Sequence, residues 1–71
     1  MDIESALHKH EPSLLDLPHV TSVGIGERRG KQVIVVFVST QSAEEFRTTQ
    51  DSVPSLVEGY ETEVRPAVRV G

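Results

Sequence analysis

Three groups of residues in this chain have types and spacings that chemistry can use. They are the glycine-rich stretch GIGERRGKQ at residues 24–32, the histidines His8, His10 and His19, and the adjacent acids Glu44 and Glu45. A loop that wraps phosphate in the Walker manner needs a glycine, four spacers and then Gly-Lys-Ser/Thr, so that backbone N–H groups surround the anion and a hydroxyl reaches magnesium. Counting back from Gly30-Lys31 puts Ile25 where that first glycine belongs, and counting forward puts Gln32 where the hydroxyl belongs. A dinucleotide fingerprint needs a third glycine three residues after Gly26, where Arg29 stands, and a helix afterwards, where a β-rich run follows. A hairpin turn needs less: one residue that tolerates positive φ, which Gly30 supplies, and a polar tip, which Glu27, Arg28, Arg29 and Lys31 supply. We read the stretch as a turn. Arg28, Arg29 and Lys31 remain a candidate anion contact at its tip, and a small-ligand or nucleotide-phosphate site using Gly24, Gly26, Arg28, Arg29 and Lys31 is the alternative reading.

On a helix, His8 and His10 point about 200° apart and cannot share an ion. In an extended segment they can, but the chain has no cysteine and no second closely spaced cluster to complete a site. No metal and no cofactor are expected. Serines, histidines and acids are all present, yet no spacing singles out a nucleophile with its base, and Glu44 and Glu45 would diverge on a helix. Two phenylalanines, one tyrosine and no tryptophan leave little for stacking on bases. The expectation is a protein that is not an enzyme.

Composition narrows the classes further. Eleven acidic against seven basic residues give a net charge of −4, which disfavours nucleic acid and anionic membrane as partners. The longest apolar run, residues 33–38, falls far short of the roughly 20 residues of a membrane helix. The opening MDIESALHKH has two early carboxylates instead of a basic flank and apolar run, so a cytoplasmic protein is expected. Seventy-one residues allow one domain, residues 1–71. A chain of that size hides only about 60% of its unfolded surface, so association would help it.

The elements that must position these residues follow from periodicity. Asp2 or Ser5 can cap a helical N-terminal segment, residues 1–17, with Ile3, Ala6, Leu7 and Leu14 near one face; Pro12 either interrupts it or starts a second turn, and Pro18 ends it. From Val20 the period becomes two, with Thr21, Val23 and Ile25 on one side. The run VIVVFV is apolar on both sides and rich in β-branched residues, which places it inside the sheet. Ser42 and Glu45 have capping-box spacing, with Ala43, Phe46 and Thr49 or Gln50 on the inward side of a short helix. Tyr60 to Val70 alternates as a closing strand, and Pro66 in it points to an edge position or a bulge.

The resulting expectation is a small α+β domain of order α-β-β-α-β. Residues 18–71 form a hairpin, a helix and a closing strand, giving a three-stranded antiparallel sheet in the order 2-1-3 with helices mainly on one face. The other face would then carry half of VIVVFV uncovered, which is unusual on a monomer. Either Ile34, Val36 and Val38 or their alternates Val33, Val35 and Phe37 become the contact face for a second copy or for another protein.

The stretches HVTSVGIG, KQVIVVFV and DSVPSLVEGYETEVRPAVRVG together resemble a small, poorly characterised domain found ahead of trypsin-like serine peptidase domains in some bacterial proteins. There a Val-Gly-Val-Gly strand, an apolar strand, an Ile-Pro, a Gly and a strand closing near Val-Gly follow in the same order. The resemblance covers roughly residues 18–71 and implies an accessory module for folding or partner binding. The catalytic triad of such proteins lies downstream in the peptidase domain, so no catalytic residue transfers to this chain.

Overall fold

The structure, a computed structural model, describes residues 2–67. Its first helix begins where the sequence offers a cap. The Asp2 carboxylate accepts the Ser5 backbone N–H at 2.8 Å, and that hydrogen bond holds its pKa below the usual carboxylate value. Helix α1 (Ile3–Leu15) buries Ile3, Ala6 and Leu14 and runs through Pro12, whose ring lies on the exposed side. Asp16 ends it, its N–H turning back to the carbonyls of Leu14 and Pro12.

Strand β1 (Val20–Arg28) and strand β2 (Lys31–Val38) form an antiparallel hairpin in which Arg28 faces Lys31. The two residues between them, Arg29 at φ 54° and Gly30 at φ 77°, both occupy the left-handed region, as a two-residue turn matched to strand twist requires. The register slips between Val20 and Ser22, leaving Thr21 as a bulge whose hydroxyl donates to the Phe37 carbonyl at 3.3 Å. The slip turns Val20 toward the core beside Val23.

Helix α2 (Ala43–Ser52) carries the expected cap. Ser42 Oγ accepts the Glu45 N–H at 3.2 Å, while the Glu45 carboxylate reaches back to the Gln41 N–H at 3.1 Å, one residue earlier than in the standard box. Its inward side offers Phe46 and the buried Thr49, and Val53 follows.

The expected three-stranded antiparallel sheet of order 2-1-3 is corrected by the structure. The sheet has four strands in the order β1-β2-β4-β3, with strand β3 (Leu56–Val57) and strand β4 (Tyr60–Pro66) antiparallel to each other and β4 parallel to β2. Burial explains the difference. A strand apolar on both sides belongs between two neighbours, so β2 takes the interior place and the chain crosses over through α2 to lay β4 along it. Strand β3 comes from the same logic at smaller scale: Glu58 at φ 52° and Gly59 at φ 84° make a second two-residue turn that folds Leu56 and Val57 back on Glu61 and Tyr60. The expected closing strand reaches Pro66, and residues 68–70 of that expectation lie outside the described residues. Pro66 ends β4, beyond the reach of β3, where its missing N–H breaks no ladder.

Both helices contribute to one core. Ile34, Val36 and Val38 of β2 pack with Ile3, Leu14, Val53 and Val57, and Leu7, Leu17, Phe46 and Val64 close around them. Each fully buried Val or Ile contributes about 1.5–3 kcal/mol. Among the described residues no helix is long and apolar enough to cross a membrane.

One polar latch ties the N-terminal helix to the distant turn. Glu58 Oε1 lies 2.9 Å from His10 Nε2 and 3.3 Å from Lys9 Nζ. The hydrogen bond from His10, then that from Lys9, lowers the Glu58 pKa. A carboxylate whose folded pKa is depressed adds stability above its unfolded pKa and loses it as pH falls through the folded value. Thermal melts should therefore lose stability on acidification less steeply in Glu58→Gln than in the wild type. NMR titration of the Glu58 carboxyl should give a midpoint below that of a free glutamate; an ordinary midpoint would show that the latch does not form.

Candidate interaction surface

Opposite residues of neighbouring strands share a face of the sheet, so the register decides what each face carries. Gly24 and Gly26 stand opposite Val35 and Val33, and Val35 and Phe37 stand beside Glu63 and Arg65. The side away from the helices thus presents Ser22, Gly24, Gly26 and Arg28 on β1, Val33, Val35 and Phe37 on β2, and Glu61, Glu63 and Arg65 on β4.

That side has no helical layer, yet its valines are covered. Val33 is 1% and Val35 2% exposed. Long charged side chains lie across them from both flanks. Arg28 reaches over β2 to Glu61 at 3.1 Å, and Arg65 pairs with Glu63 at 2.7 Å while extending toward β1. A Cβ placed on Gly26 would sit 2.7 Å from Val35 Cγ2 and 3.8 Å from Arg65 Nη2. The missing side chain at Gly26 is what lets Val35 lie flat and the guanidinium come over it.

The six residues expected to form a partner face are placed accordingly. Ile34, Val36 and Val38 point to the helices and are buried, Val33 and Val35 are buried on the opposite side, and Phe37 alone is half-buried. A contact on this face would go through Phe37 and the ion pairs beside it.

The tip residues are separated rather than gathered. Arg28 is engaged with Glu61, while Arg29 sits in the turn and Lys31 opens β2, both exposed. Gly24 and Gly26 lie inside a paired strand, so the glycine-rich stretch forms no loop around an anion. The histidines also go separate ways: His10 meets Glu58, His19 occupies the positive-φ position before β1, and His8 lines a groove. Among the described residues, no three His, Asp or Glu side chains come together as a metal site. A hollow of about 550 Å3 opens between α2 and Pro66, and its lining brings no nucleophile against a base.

The feature that sequence reasoning missed is the outer edge of β1. Among the described residues this nine-residue strand has β2 as its single strand neighbour, whereas the opposite edge of the sheet is the two-residue β3. Ile25, on the helix side of β1, is 40% exposed. It floors a groove of about 260 Å3 with Leu7, walled by Glu4, His8 and Glu11 of α1. Leu15, one turn beyond Glu11, is 41% exposed. The alternation that placed Ile25 opposite Gly24 was visible, but not that α1 would stop short of covering it.

No family model matches this chain, and neither the curated proteins nor the solved structures contain a match to it.

The two glycines of β1 should respond differently to a methyl group. Gly26→Ala should destabilise the fold by about 1–3 kcal/mol through overpacking against Val35. Gly24→Ala, whose Cβ meets only the Phe37 ring edge at 3.9 Å, should stay within about 0.5 kcal/mol of the wild type. Urea unfolding of the two variants measures this, and equal losses would contradict the packing role of Gly26.

Proposed function

We propose that this chain is a non-enzymatic interaction domain that binds protein through its sheet. The observation that carries the reading is the asymmetry of the sheet's two edges. At one edge the two-residue β3 covers only the start of β4, and at the other stands a full-length strand with an exposed isoleucine beside a shallow apolar groove. Edge strands of that length template a further strand unless charge, proline or a bulge blocks them, and here the bulge is confined to the first residues of β1. Strand addition takes affinity from the backbone and specificity from alternate side-chain positions, and Ile25 with its groove is such a position. Phe37, half-buried on the other side of the sheet, and the exposed Leu15 and Leu56 are further apolar contacts a partner can use.

The resemblance to the domain that precedes trypsin-like peptidase domains fits the same role, that of an accessory module acting by contact rather than by chemistry. A cysteine-free acidic chain suits a reducing cytoplasmic setting.

The competing phosphate-binding reading makes a different demand on solution behaviour. Titrating the isotope-labelled chain with inorganic phosphate and with ATP should produce no saturable amide shifts across residues 24–31. Saturable shifts that vanish in the Arg28→Ala, Arg29→Ala double variant would overturn the interaction reading in favour of the anion site.

A further inference from the structure

We infer that the strand added to β1 is the β1 strand of a second copy, paired antiparallel about a two-fold axis through Gly24. The inference rests on the interaction reading above and names its partner. A two-fold axis that continues the sheet with both helical layers on the same side can pair only residues of like facing, so few registers are open.

Centred on Gly24, the register sets Ile25 of each copy against Val23 of the other, on the helix side, while Gly24 meets Gly24 and Ser22 meets Gly26 on the other side. Centred one residue later, on Ile25, it sets Ile25 against Ile25 but Val23 against Glu27. Centred one residue earlier, on Val23, it sets Ile25 against Thr21, the bulged position where a regular ladder fails. Only the first register gives both Val23 and the exposed Ile25 of each copy an apolar partner. The edge carries no lysine or proline against this pairing, and its charges, Glu27 and Arg28, stand at its far end.

Charge favours the same arrangement. The hairpin tip of each copy runs past the start of the partner copy's β1, which brings exposed Arg29 toward the connection from α1 to β1, where the partner copy carries Asp16. A basic tip against an acidic corner occurs twice about the axis. The edge is narrow, so the association belongs to the weak, transient class.

The chain has no cysteine, so a single introduced one reports proximity without competition. In Gly24→Cys the two thiols face each other across the axis, and the position has room, with Phe37 as its nearest neighbour at 3.9 Å. Under a mild oxidant this variant should form disulfide dimers at least about tenfold faster than Leu56→Cys, on the opposite edge, because pairing raises the effective concentration of the thiols. Adding Ile25→Lys should return the rate to that of the Leu56→Cys control while circular dichroism stays native, since Ile25 is a surface position. Equal rates for Gly24→Cys and Leu56→Cys would overturn the inference, as would light scattering that finds the unmodified chain monomeric up to millimolar concentration. A dimer split by Phe37→Lys and not by Ile25→Lys would also overturn edge pairing, while leaving the broader interaction reading intact. Saturable phosphate or ATP binding in the titration above is the result that would remove that broader reading, so the two failures are distinguishable.

Discussion

The whole fold depends on one strand being buried on both faces. Val33, Ile34, Val35, Val36 and Val38 are all buried, and no other element of the described chain is comparably enclosed. A strand in that position needs a neighbour on each flank and a cover on each face, and residues 2–67 contain only two helices to supply covers. Both helices go to the side of Ile34, Val36 and Val38, where the largest cluster of aliphatic residues forms. The opposite side must be closed by what the neighbouring strands carry. Gly26 withdraws a side chain so that Val35 can settle, and Arg28, Glu61, Glu63 and Arg65 supply methylene stems over the valines while their charged ends pair with one another. Those pairs are solvent-exposed and contribute little as charges. Their effect lies in the hydrocarbon they lay over β2.

Much of this was legible before any coordinates, and the parts that were not have identifiable physical reasons. Helix starts at Asp2 and Ser42 could be read because caps are local, set by a side chain and an N–H three residues on. The turn at Arg29-Gly30 could be read because only a few residues tolerate positive φ. Strand order could not be read from local pattern alone. The expectation put the closing strand beside the first strand, although the doubly apolar VIVVFV already demanded two neighbours, and that demand prevails. The two residues of β3 are too few to show a period, and only Glu58-Gly59 between Val57 and Tyr60 hinted at a second turn. The exposed face was misjudged for a related reason. A hydrophobic pattern records which residues avoid water, but not that an arginine two strands away will lie down over them.

The candidate site inherits the same division. Arg28, Arg29 and Lys31 look like one basic cluster in sequence, but pairing Arg28 with Lys31 across a turn assigns them to three different environments. The strand alternation made Ile25 appear to be an ordinary inward residue, as Val23 is. What distinguishes them is position relative to α1, whose flank of Glu4, His8 and Glu11 stands beside Ile25 without sealing it. That relation is tertiary and leaves no trace in a seventy-one-residue string.

The two edges of the sheet show how these constraints meet function. A domain this small cannot add a layer to every surface, so it must leave its least demanding surface open. On the β3 side two residues and a turn cover the start of β4, and Glu58 in that turn also latches onto Lys9 and His10, which fixes α1 over the sheet. With α1 held from that side, its other flank lies along β1 and sets how far Ile25 is covered. The exposure of Ile25 at the β1 edge and the latch at the β3–β4 turn are therefore two results of the same helix placement. A surface that arises this way is rigid and already extended before any partner arrives, so ordering costs on association fall mainly on the partner's side. A second copy of the same strand would carry the same preformed edge, so self-pairing would cost less ordering than recruitment of a flexible segment.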